Sequence, residues 1–363
     1  MKKLLSILLS VMLMVSLVAC AEDIRVAMIT DYGDITDQSF NQTTYEAAKA
    51  WCEANGVDFT YYKPAGDSTA ERVAMVEKAD DEDYNVIIMP GYAFGATIAE
   101  VQDEYPGIKF VALDVSEGDL GGAEVADNVY CAVYQEELCG YMAGYAAVKL
   151  GYTKLGFLGG MAVPAVVRYG YGFVQGADAA AVEAGIADQV TIDYVYGNQF
   201  YGDADITAYM DNWYQTLGVQ VVFACGGGIF TSASEAATKV EGAKVIGVDV
   251  DQAATIDGLY GEGLTVTSAM KGLAATVDTL LTGIKAGEWA NYAGKIDNLG
   301  LVGEDPAANY VQIAPSTQFS DSFTEADYAA LVAKMYAGEV AVSNAIDAAP
   351  ETAVAVTYYG NIK

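Results

Sequence analysis

The stretch RVAMITDYGDITDQSFNQTTYEAAKAW, residues 25–51, decides the fold because it reads as a strand, a polar loop and a helix. Residues 26–29 (VAMI) form a short apolar run that is typical of a strand, and Asp and Gly residues follow as turn formers. Ser39 and Gln42 have the S-x-x-Q spacing of a capping box, which predicts that a helix begins here. The stretch is therefore the first half of a β-α-β unit.

The loop of this unit concentrates polar groups at the carboxyl end of its strand, where open parallel sheets bind ligands. It contains three carboxylates, an amide and an aromatic ring: Asp31, Asp34, Asp37, Asn41 and Phe40. The ring of Phe40 either packs onto the core or forms a platform for a flat ligand. This stretch alone slightly favours the core.

Strands and helices alternate along the rest of the chain, which predicts parallel, doubly wound sheets. Strands are expected at residues 57–63, 85–89, 109–113, 128–133, 154–158, 190–196, 219–224 and 244–248. The alternation occurs in two series, so the prediction is an α/β protein with two doubly wound parallel-sheet lobes and a ligand cleft between them. Residues 267–286 are predicted to be an amphipathic helix that returns to the first lobe, and residues 324–337 a late helix.

The predicted division has three parts. Residues 1–19 are a signal peptide, residues 20–127 plus about 260–290 form the first lobe, and residues 128–259 plus about 291–363 form the second. A mature chain of about 340 residues exceeds one comfortable core, which also favours two lobes.

Composition excludes several classes of function. The chain has 18 Lys+Arg against 49 Asp+Glu, a net charge of −31, and such a surface repels phosphate backbones, so no nucleic-acid partner is expected. Histidine is absent, which excludes Ser-His-Asp and Cys-His catalysis and argues against a transition-metal site. No metal and no cofactor are predicted.

The first twenty residues predict export and lipid attachment. Lys2 and Lys3 precede an apolar run over residues 4–19, which is short for a membrane span and typical of a secretory signal. Leu17-Val18-Ala19-Cys20 resembles a bacterial lipobox, so Cys20 is the predicted lipidation site; the alternative is an ordinary signal peptide with a chance cysteine. Removal of the signal takes Lys+Arg from 18 to 16 and the net charge to −33.

The remaining cysteines form no C-x-x-C pair, and each lies in an apolar segment: Cys52, Cys131, Cys139 and Cys225. Buried free thiols are expected, and the alternative is that two of these cysteines form one disulfide.

One enzyme class has to be weighed against binding. Asp31, Asp34 and Asp37 resemble the N-terminal aspartate cluster with which nucleoside hydrolases hold calcium, although here no two aspartates are adjacent. The residue that protonates the leaving base in those enzymes is often histidine, which this chain lacks. Gly226-Gly227-Gly228 is not followed by G-K-[ST], so these glycines are expected to let backbone amides approach a neutral ligand.

A ligand-binding function accounts for these aspartates and glycines better than hydrolysis does. Sugar hydroxyls both donate and accept hydrogen bonds, so carboxylates and amides suit them, and a flat base needs rings on both faces. Phe40 from the first lobe and Phe200 from the Gly-, Asn- and Asp-rich loop 197–203 of the second are placed to close on a base from opposite sides. Packing in the core remains the alternative for each ring.

Several motifs resemble those of the basic membrane protein family of bacterial solute-binding lipoproteins, which includes purine nucleoside receptors. Residues 33–49 (GDITDQSFNQTTYEAAK) resemble the family signature. Further resemblances lie at residues 110–116 (FVALDVS), 197–203 (GNQFYGD), 225–228 (CGGG), 246–252 (IGVDVDQ) and 267–271 (TSAMK). Together they cover nearly all of the mature chain and imply a type I periplasmic-binding-protein fold.

The resemblance implies a ligand-binding role for eight residues: Asp31, Phe40, Asn41, Asp114, Phe200, Gly227, Asp249 and Lys271. It implies that aspartate and asparagine side chains of the first lobe read the base, while Asp249 and Lys271 hold the ribose. The neighbours of Gly227, and Asp251 in place of Asp249, are the alternatives within their motifs. Asp249 beside Lys271 would also offset a buried charge.

The function that the resemblance implies is a lipid-anchored protein on the extracytoplasmic face of the cell membrane, not an enzyme. It would capture purine nucleosides such as adenosine, guanosine and inosine and deliver them, as a monomer, to the permease and ATPase of an ABC importer. The alternatives are another solute such as a sugar or a signalling molecule, a calcium-dependent nucleoside hydrolase, and a sensory role without transport.

Overall fold

Two β-sheets flanked by helices organise the chain, and the computed structural model describes residues 23–31 and 33–363. The predicted signal peptide and Cys20 lie outside the described residues. The helices, numbered along the chain, are α1 (Phe40–Asn55), α2 (Thr69–Asp81), α3 (Phe94–Val101), α4 (Glu136–Lys149), α5 (Pro164–Ala184), α6 (Ala204–Asn212), α7 (Phe230–Ala237), α8 (Ala253–Tyr260), α9 (Leu273–Lys285) and α10 (Glu325–Tyr336).

The first sheet is parallel and belongs to the first lobe. Its strands are β1 (Val26–Ile29), β2 (Phe59–Tyr62), β3 (Val86–Pro90), β4 (Lys109–Leu113), β5 (Val129–Tyr134) and β11 (Lys295–Leu299), in the spatial order β11-β5-β4-β3-β1-β2. Every residue of β1 and β3 is buried because helices cover both faces of the sheet, and this explains their continuous apolar runs.

The second sheet is parallel except at one edge. Its strands are β6 (Lys154–Gly159), β7 (Thr191–Tyr196), β8 (Val221–Cys225), β9 (Lys244–Asp249), β10 (Thr265–Lys271), β12 (Val311–Ile313) and β13 (Ala355–Asn361), in the spatial order β12-β10-β9-β8-β6-β7-β13. β12 runs antiparallel to β10, and β13 pairs in parallel with β7 at the opposite edge. The predicted α/β architecture with two doubly wound sheets is confirmed.

The chain passes between the two sheets at other points than the predicted division of the lobes gives. β5 and β11 belong to the first sheet, although residues 128–259 and 291–363 were assigned to the second lobe. Within the described residues the chain passes from the first sheet to the second after β5, returns to the first lobe after β10, and passes to the second again after β11. A buried strand has the same apolar pattern in either sheet, so sequence alone could not assign these strands.

The predicted helix at residues 267–286 is wrong in its first part. Thr265–Lys271 is strand β10 of the second sheet, and α9 begins only at Leu273. Threonine and valine favour strands, and nearly all of β10 is buried, so the segment has no helical periodicity of its own. α9 does return to the first lobe, where Trp51 Nε1 of α1 donates to Thr282 Oγ1 at 2.9 Å.

Close packing of α4 against α5 fixes the residues at the start of both helices. A Cβ atom at Gly144 would lie 2.0 Å from the carbonyl oxygen of Phe173, and one at Gly176 would lie 1.9 Å from that of Tyr141. Glycine at these positions lets the two backbones touch, which no larger residue allows. The contact places the beginning of α4 beside the beginning of α5, next to the cleft.

Two further observations concern the chain as a whole. Cys52, Cys131, Cys139 and Cys225 are buried free thiols, as expected. Among residues 23–31 and 33–363, no helix has the length and apolar composition that a membrane crossing requires.

Candidate functional site

A cavity of about 520 Å³ lies between the two lobes, at the carboxyl ends of strands from both sheets. All of the residues that the sequence predicted to bind ligand line it: Asp31, Phe40, Asn41, Asp114, Phe200, Gly227, Asp249 and Lys271. The fold therefore brings these residues together, and their contact with a ligand stays a prediction. The ends of parallel strands meet at one edge of each sheet, which is why residues far apart in sequence converge here.

The loop before α1 is organised by Asp37 rather than by Ser39, so the predicted capping box is wrong. Asp37 accepts hydrogen bonds from the backbone N–H groups of Ser39 (2.9 Å), Asn41 (2.9 Å) and Gln42 (3.1 Å). Ser39 precedes the helix but makes no capping bond with its side chain. A carboxylate is a stronger acceptor than a hydroxyl at the positive end of a helix, which explains the choice of Asp37.

Ser39 is thereby released to contact the other lobe. Its buried hydroxyl donates to Asp249 Oδ2 at 2.6 Å, and the Tyr169 hydroxyl lies 3.3 Å from the other oxygen of the same carboxylate. Nearby, Gln252 Nε2 of the second lobe donates to the carbonyl oxygen of Gln38 at 3.0 Å. These bonds join the lobes directly and hold the cleft closed.

Lys271 lies at the centre of the site with its ammonium group almost completely buried. Its Nζ lies 2.5 Å from Asp114 Oδ2, 3.5 Å from Glu136 Oε1 and 3.8 Å from Asp249 Oδ1. Burial by itself lowers the pKa of Lys271, but the three carboxylates outweigh it and raise the pKa above the ordinary value. The expected pairing of Lys271 with Asp249 is present, and Asp114 is the nearer partner.

Glu136 and Arg168 belong to the site and were missed in the sequence. Glu136 is completely buried at the start of α4, and its Oε2 accepts from Arg168 Nε of α5 at 2.6 Å. Arg168 also lines the cavity. Two adjacent glutamates at the start of a largely apolar helix are a signal that could have found this pair, because a buried carboxylate requires a partner.

Two aromatic rings from different lobes face the cavity. The Lys271 ammonium lies 4.7 Å from the centre of the Phe40 ring, a cation–π contact that fixes one face of that ring. Both Phe40 and Phe200 are partly buried and pack against the hydrophobic core while they also line the cavity, so stacking on a ligand stays a prediction.

Glycines determine where the Phe200 ring lies. A Cβ at Gly160 would meet Phe200 Cδ1 at 2.5 Å, and one at Gly226 would meet the same atom at 2.9 Å. Gly226 and Gly227 have φ angles of 146° and 49°, which favour glycine, and Gly228 N donates to the Phe200 carbonyl oxygen at 2.8 Å. The CGGG segment therefore supports the loop that carries Phe200.

Polar atoms without protein partners also face the cavity. Asp114 Oδ1 and Asn41 Oδ1 are buried and accept no hydrogen bond within the described residues, and both residues line the cavity. An acceptor of this kind is costly when it is left unpaired, so a ligand with N–H or O–H donors would satisfy both. Burial raises the pKa of Asp31, another lining residue, to about 6.

The aspartates of the first loop do not form a calcium site. Asp34 is exposed and pairs with Lys63 at 2.6 Å. The carboxylate of Asp37 already accepts hydrogen bonds from backbone N–H groups at the start of α1. In the described part of the chain, no group of three or more Cys, Asp or Glu side chains is arranged to hold a metal ion. The arrangement disfavours the hydrolase alternative, which requires these carboxylates to converge.

Comparison with known proteins agrees with this geometry. The sequence profile described as ABC transporter substrate-binding protein PnrA-like matches residues 24–334. The chain belongs to this PnrA-like family. The family description is that of substrate-binding proteins of ABC transporters.

Relatives of this PnrA-like protein have been named in several bacteria. The chain is 27% identical over 242 residues to a protein named ABC transporter nucleoside-binding protein BmpA from Lactococcus lactis, covering 63% of this chain and 65% of the relative. It is 30% identical over 285 residues to the CD4+ T-cell-stimulating antigen of Listeria innocua, covering 74% of this chain and 76% of the relative. The chain thus spans just under two thirds of the first relative and about three quarters of the second.

Solved structures confirm the type I fold of this PnrA-like protein. An ABC transporter solute-binding protein from Aeropyrum pernix K1 superposes with a TM-score of 0.68 at 21% identity, covering 88% of this chain and 87% of that one. A second, from Conexibacter woesei, gives a TM-score of 0.67 at 22% identity and covers 88% of this chain and 99% of that one. Periplasmic solute-binding proteins of the type I fold are thus its structural neighbours.

Proposed function

We propose that this PnrA-like protein binds a purine nucleoside in the cleft and delivers it to an ABC importer. The observation that carries the proposal is the pair of rings from different lobes, Phe40 and Phe200, that face one cavity rich in carboxylates. A planar base stacks on aromatic rings, and the hydroxyl and amino groups of a nucleoside supply hydrogen-bond donors. The name of the Lactococcus lactis relative supports the same ligand class.

In this proposal the two ends of the nucleoside meet different residues. Phe40 and Phe200 stack on the base, and Asp31, Asn41 and Asp114 accept hydrogen bonds from it. Asp249 and Lys271 hold the ribose, with Gly227 offering a backbone contact. The unpartnered oxygens of Asn41 and Asp114 support this division, because a base with N–H groups can donate to both.

Transport requires the lobes to open and close around the ligand. The hydrogen bond from Ser39 to Asp249 lies in the closed cleft, and opening the lobes breaks it. Cys20 is the proposed attachment point for lipid chains, so the protein would stand on the extracytoplasmic face of the membrane beside its permease. Multiple acyl chains would make this anchoring stable.

The decisive experiment is mass spectrometry of small molecules that copurify with a soluble form lacking residues 1–20, followed by calorimetric titration with guanosine, inosine, adenosine and free ribose. We expect a purine nucleoside in the first measurement and nucleoside binding well above ribose binding in the second. A copurified sugar or signalling molecule, with no nucleoside binding, would overturn the proposal in favour of another solute.

A second assay separates binding from hydrolysis. The protein incubated with inosine and calcium should release no hypoxanthine above the buffer control. Catalytic turnover beyond one equivalent of protein would contradict the binding function.

A further inference from the structure

The chain continues past the region that matches the family, which ends at residue 334. After α10 it runs to β13, which adds a strand to the outer edge of the second sheet beside β7. Asp178 of α5 fixes the approach to this strand, because its Oδ1 accepts from the backbone N–H groups of Ala353 (2.7 Å) and Val354 (2.9 Å). We call residues 355–363 the edge segment.

The edge segment is bonded along β7 up to the point where that strand ends. The Tyr359 hydroxyl donates to Asp193 Oδ1 at 2.7 Å, and Ile362 N donates to the carbonyl oxygen of Tyr196 at 2.8 Å. Tyr196 is the last residue of β7, and the next residue begins the loop 197–203 that carries Phe200. The edge segment therefore reaches the base of the loop that forms one wall of the cavity.

The carboxylate of Asp203, the last residue of loop 197–203, accepts hydrogen bonds that fix this loop. Asp203 Oδ1 accepts from two backbone N–H groups in the first turn of α6, both at 3.0 Å, while Asp203 Oδ2 accepts from Gln199 Nε2 at 2.8 Å. Lys363 Nζ, from the end of the edge segment, contacts this same Oδ2 atom. The backbone N–H of Ile206, the ammonium of Lys363 and the side-chain amide of Gln199 together hold the pKa of Asp203 at about 2, so the contact persists at physiological pH.

We propose that the edge segment is a strap that holds loop 197–203 in the conformation that presents Phe200 to the cavity, with Lys363 as a positioning residue. The inference rests on the proposed function, in which Phe200 stacks on the base. A loop that is ordered before the ligand arrives loses less conformational entropy on binding, so the strap raises affinity without touching the ligand. Loss of the strap should act mainly through faster dissociation.

The test compares Lys363→Ala with Lys239→Ala as a matched control. Lys239 lies near Asp203 in a second pocket but pairs with Asp211 at 2.9 Å and not with loop 197–203, so its substitution makes the same change of charge without removing a bond to the loop. An exposed ion pair of this kind predicts that Lys363→Ala weakens guanosine and inosine binding by about 2- to 5-fold. Binding of free ribose should not change, and Lys363→Arg should restore the wild-type affinity.

Hydrogen exchange without ligand gives the second readout. Amides of residues 197–203 should exchange faster in Lys363→Ala than in the wild type, and at the wild-type rate in Lys239→Ala. If the exchange rates of these amides are unchanged in Lys363→Ala, the edge segment does not hold the loop. If exchange is faster but guanosine affinity is unchanged, the strap does not contribute to binding, and the proposal is wrong in either case. If the wild-type protein binds neither guanosine nor inosine, the proposed function fails, and the exchange rates of these amides alone decide whether the strap holds the loop.

Discussion

The hydroxyl of Ser39 donates to the carboxylate of Asp249 across the interlobe cleft at 2.6 Å. The two residues are 210 positions apart in the chain, and the bond is buried. It joins the lobes with protein groups alone and orients a carboxylate that the proposed function assigns to the ribose. Closing the cleft therefore also orients the carboxylate of Asp249.

Ser39→Ala tests this bond. A hydrogen bond to a charged group contributes about 1.5–3 kcal/mol, so we expect guanosine affinity to fall roughly tenfold or more. Small-angle scattering of the ligand-free protein should show a larger radius of gyration, because the open form gains population. Ser234→Ala is the matched control, since Ser234 is equally buried but its hydroxyl has no hydrogen-bond partner among residues 23–31 and 33–363. Equal behaviour of the two variants would contradict the role of Ser39.

Phe40→Ala and Phe200→Ala test the aromatic walls. Stacking of a base on an aromatic side chain is worth about 1–3 kcal/mol, which predicts a loss of guanosine or inosine affinity of about 5- to 150-fold in each variant. Free ribose binding should hardly change, whereas Asp249→Ala should weaken nucleoside and ribose alike. If both phenylalanine variants bind guanosine normally but melt several degrees lower, the two rings are core residues and do not stack on the base.

Lys271→Met tests the buried charge cluster. The substitution leaves Asp114, Glu136 and Asp249 without their shared cation, and breaking a buried ion pair costs about 3–5 kcal/mol of unfolding free energy. Urea denaturation should show this loss, while Lys334→Met, at an exposed position, should change stability little. Adding Asp114→Asn to Lys271→Met should recover part of the stability, because Asp114 loses its ion-pair partner in Lys271→Met, whereas Glu136 keeps Arg168. Failure of the double variant to recover any stability would argue against the electrostatic explanation.

The pH dependence of stability tests Asp31. Burial raises the pKa of this carboxyl from 3.8 to about 6 in the folded protein, so between those values the folded state binds more protons than the unfolded state. Stability contributed by Asp31 is therefore present at low pH and lost as pH rises through about 4 to 6, on the order of 2–3 kcal/mol in total. Asp31→Asn should melt progressively higher than the wild type from pH 4 to pH 7, and a constant difference in melting temperature would count against this shift.

Cys20→Ser tests the anchor. A serine hydroxyl cannot form the thioether to diacylglycerol, so the variant should accumulate as an unlipidated precursor that no longer labels with palmitate. Cys52→Ser serves as the control, because Cys52 is buried in the first lobe and should not affect labelling. If the Cys20 variant still labels with palmitate at the wild-type level, the prediction that Cys20 is the lipidation site is wrong.

Much of the architecture was predictable because local patterns report local structure. The apolar runs at residues 109–113 and 154–158 predicted β4 and β6 almost to the residue, and the strict alternation of strand and helix predicted parallel sheets. The same reasoning failed at residues 265–271, where a strand follows the two series and leads into a helix of the other lobe. Propensity describes a segment, whereas the sheet to which it belongs depends on distant neighbours.

Within the site, the sequence by itself determined which residue types are present and that the motifs following β1, β4 and β9 lie at carboxyl ends of strands. The predicted strand ends placed Asp31 and Asp114 at one edge, and the family resemblance implied that Asp249 lies in the same cleft. Only the tertiary structure decided the partners: Asp37 caps α1, Ser39 reaches Asp249, and Lys271 is paired most closely with Asp114. The physical reason is that a hydrogen bond or an ion pair depends on distances of a few ångströms between groups that the chain brings together from opposite lobes.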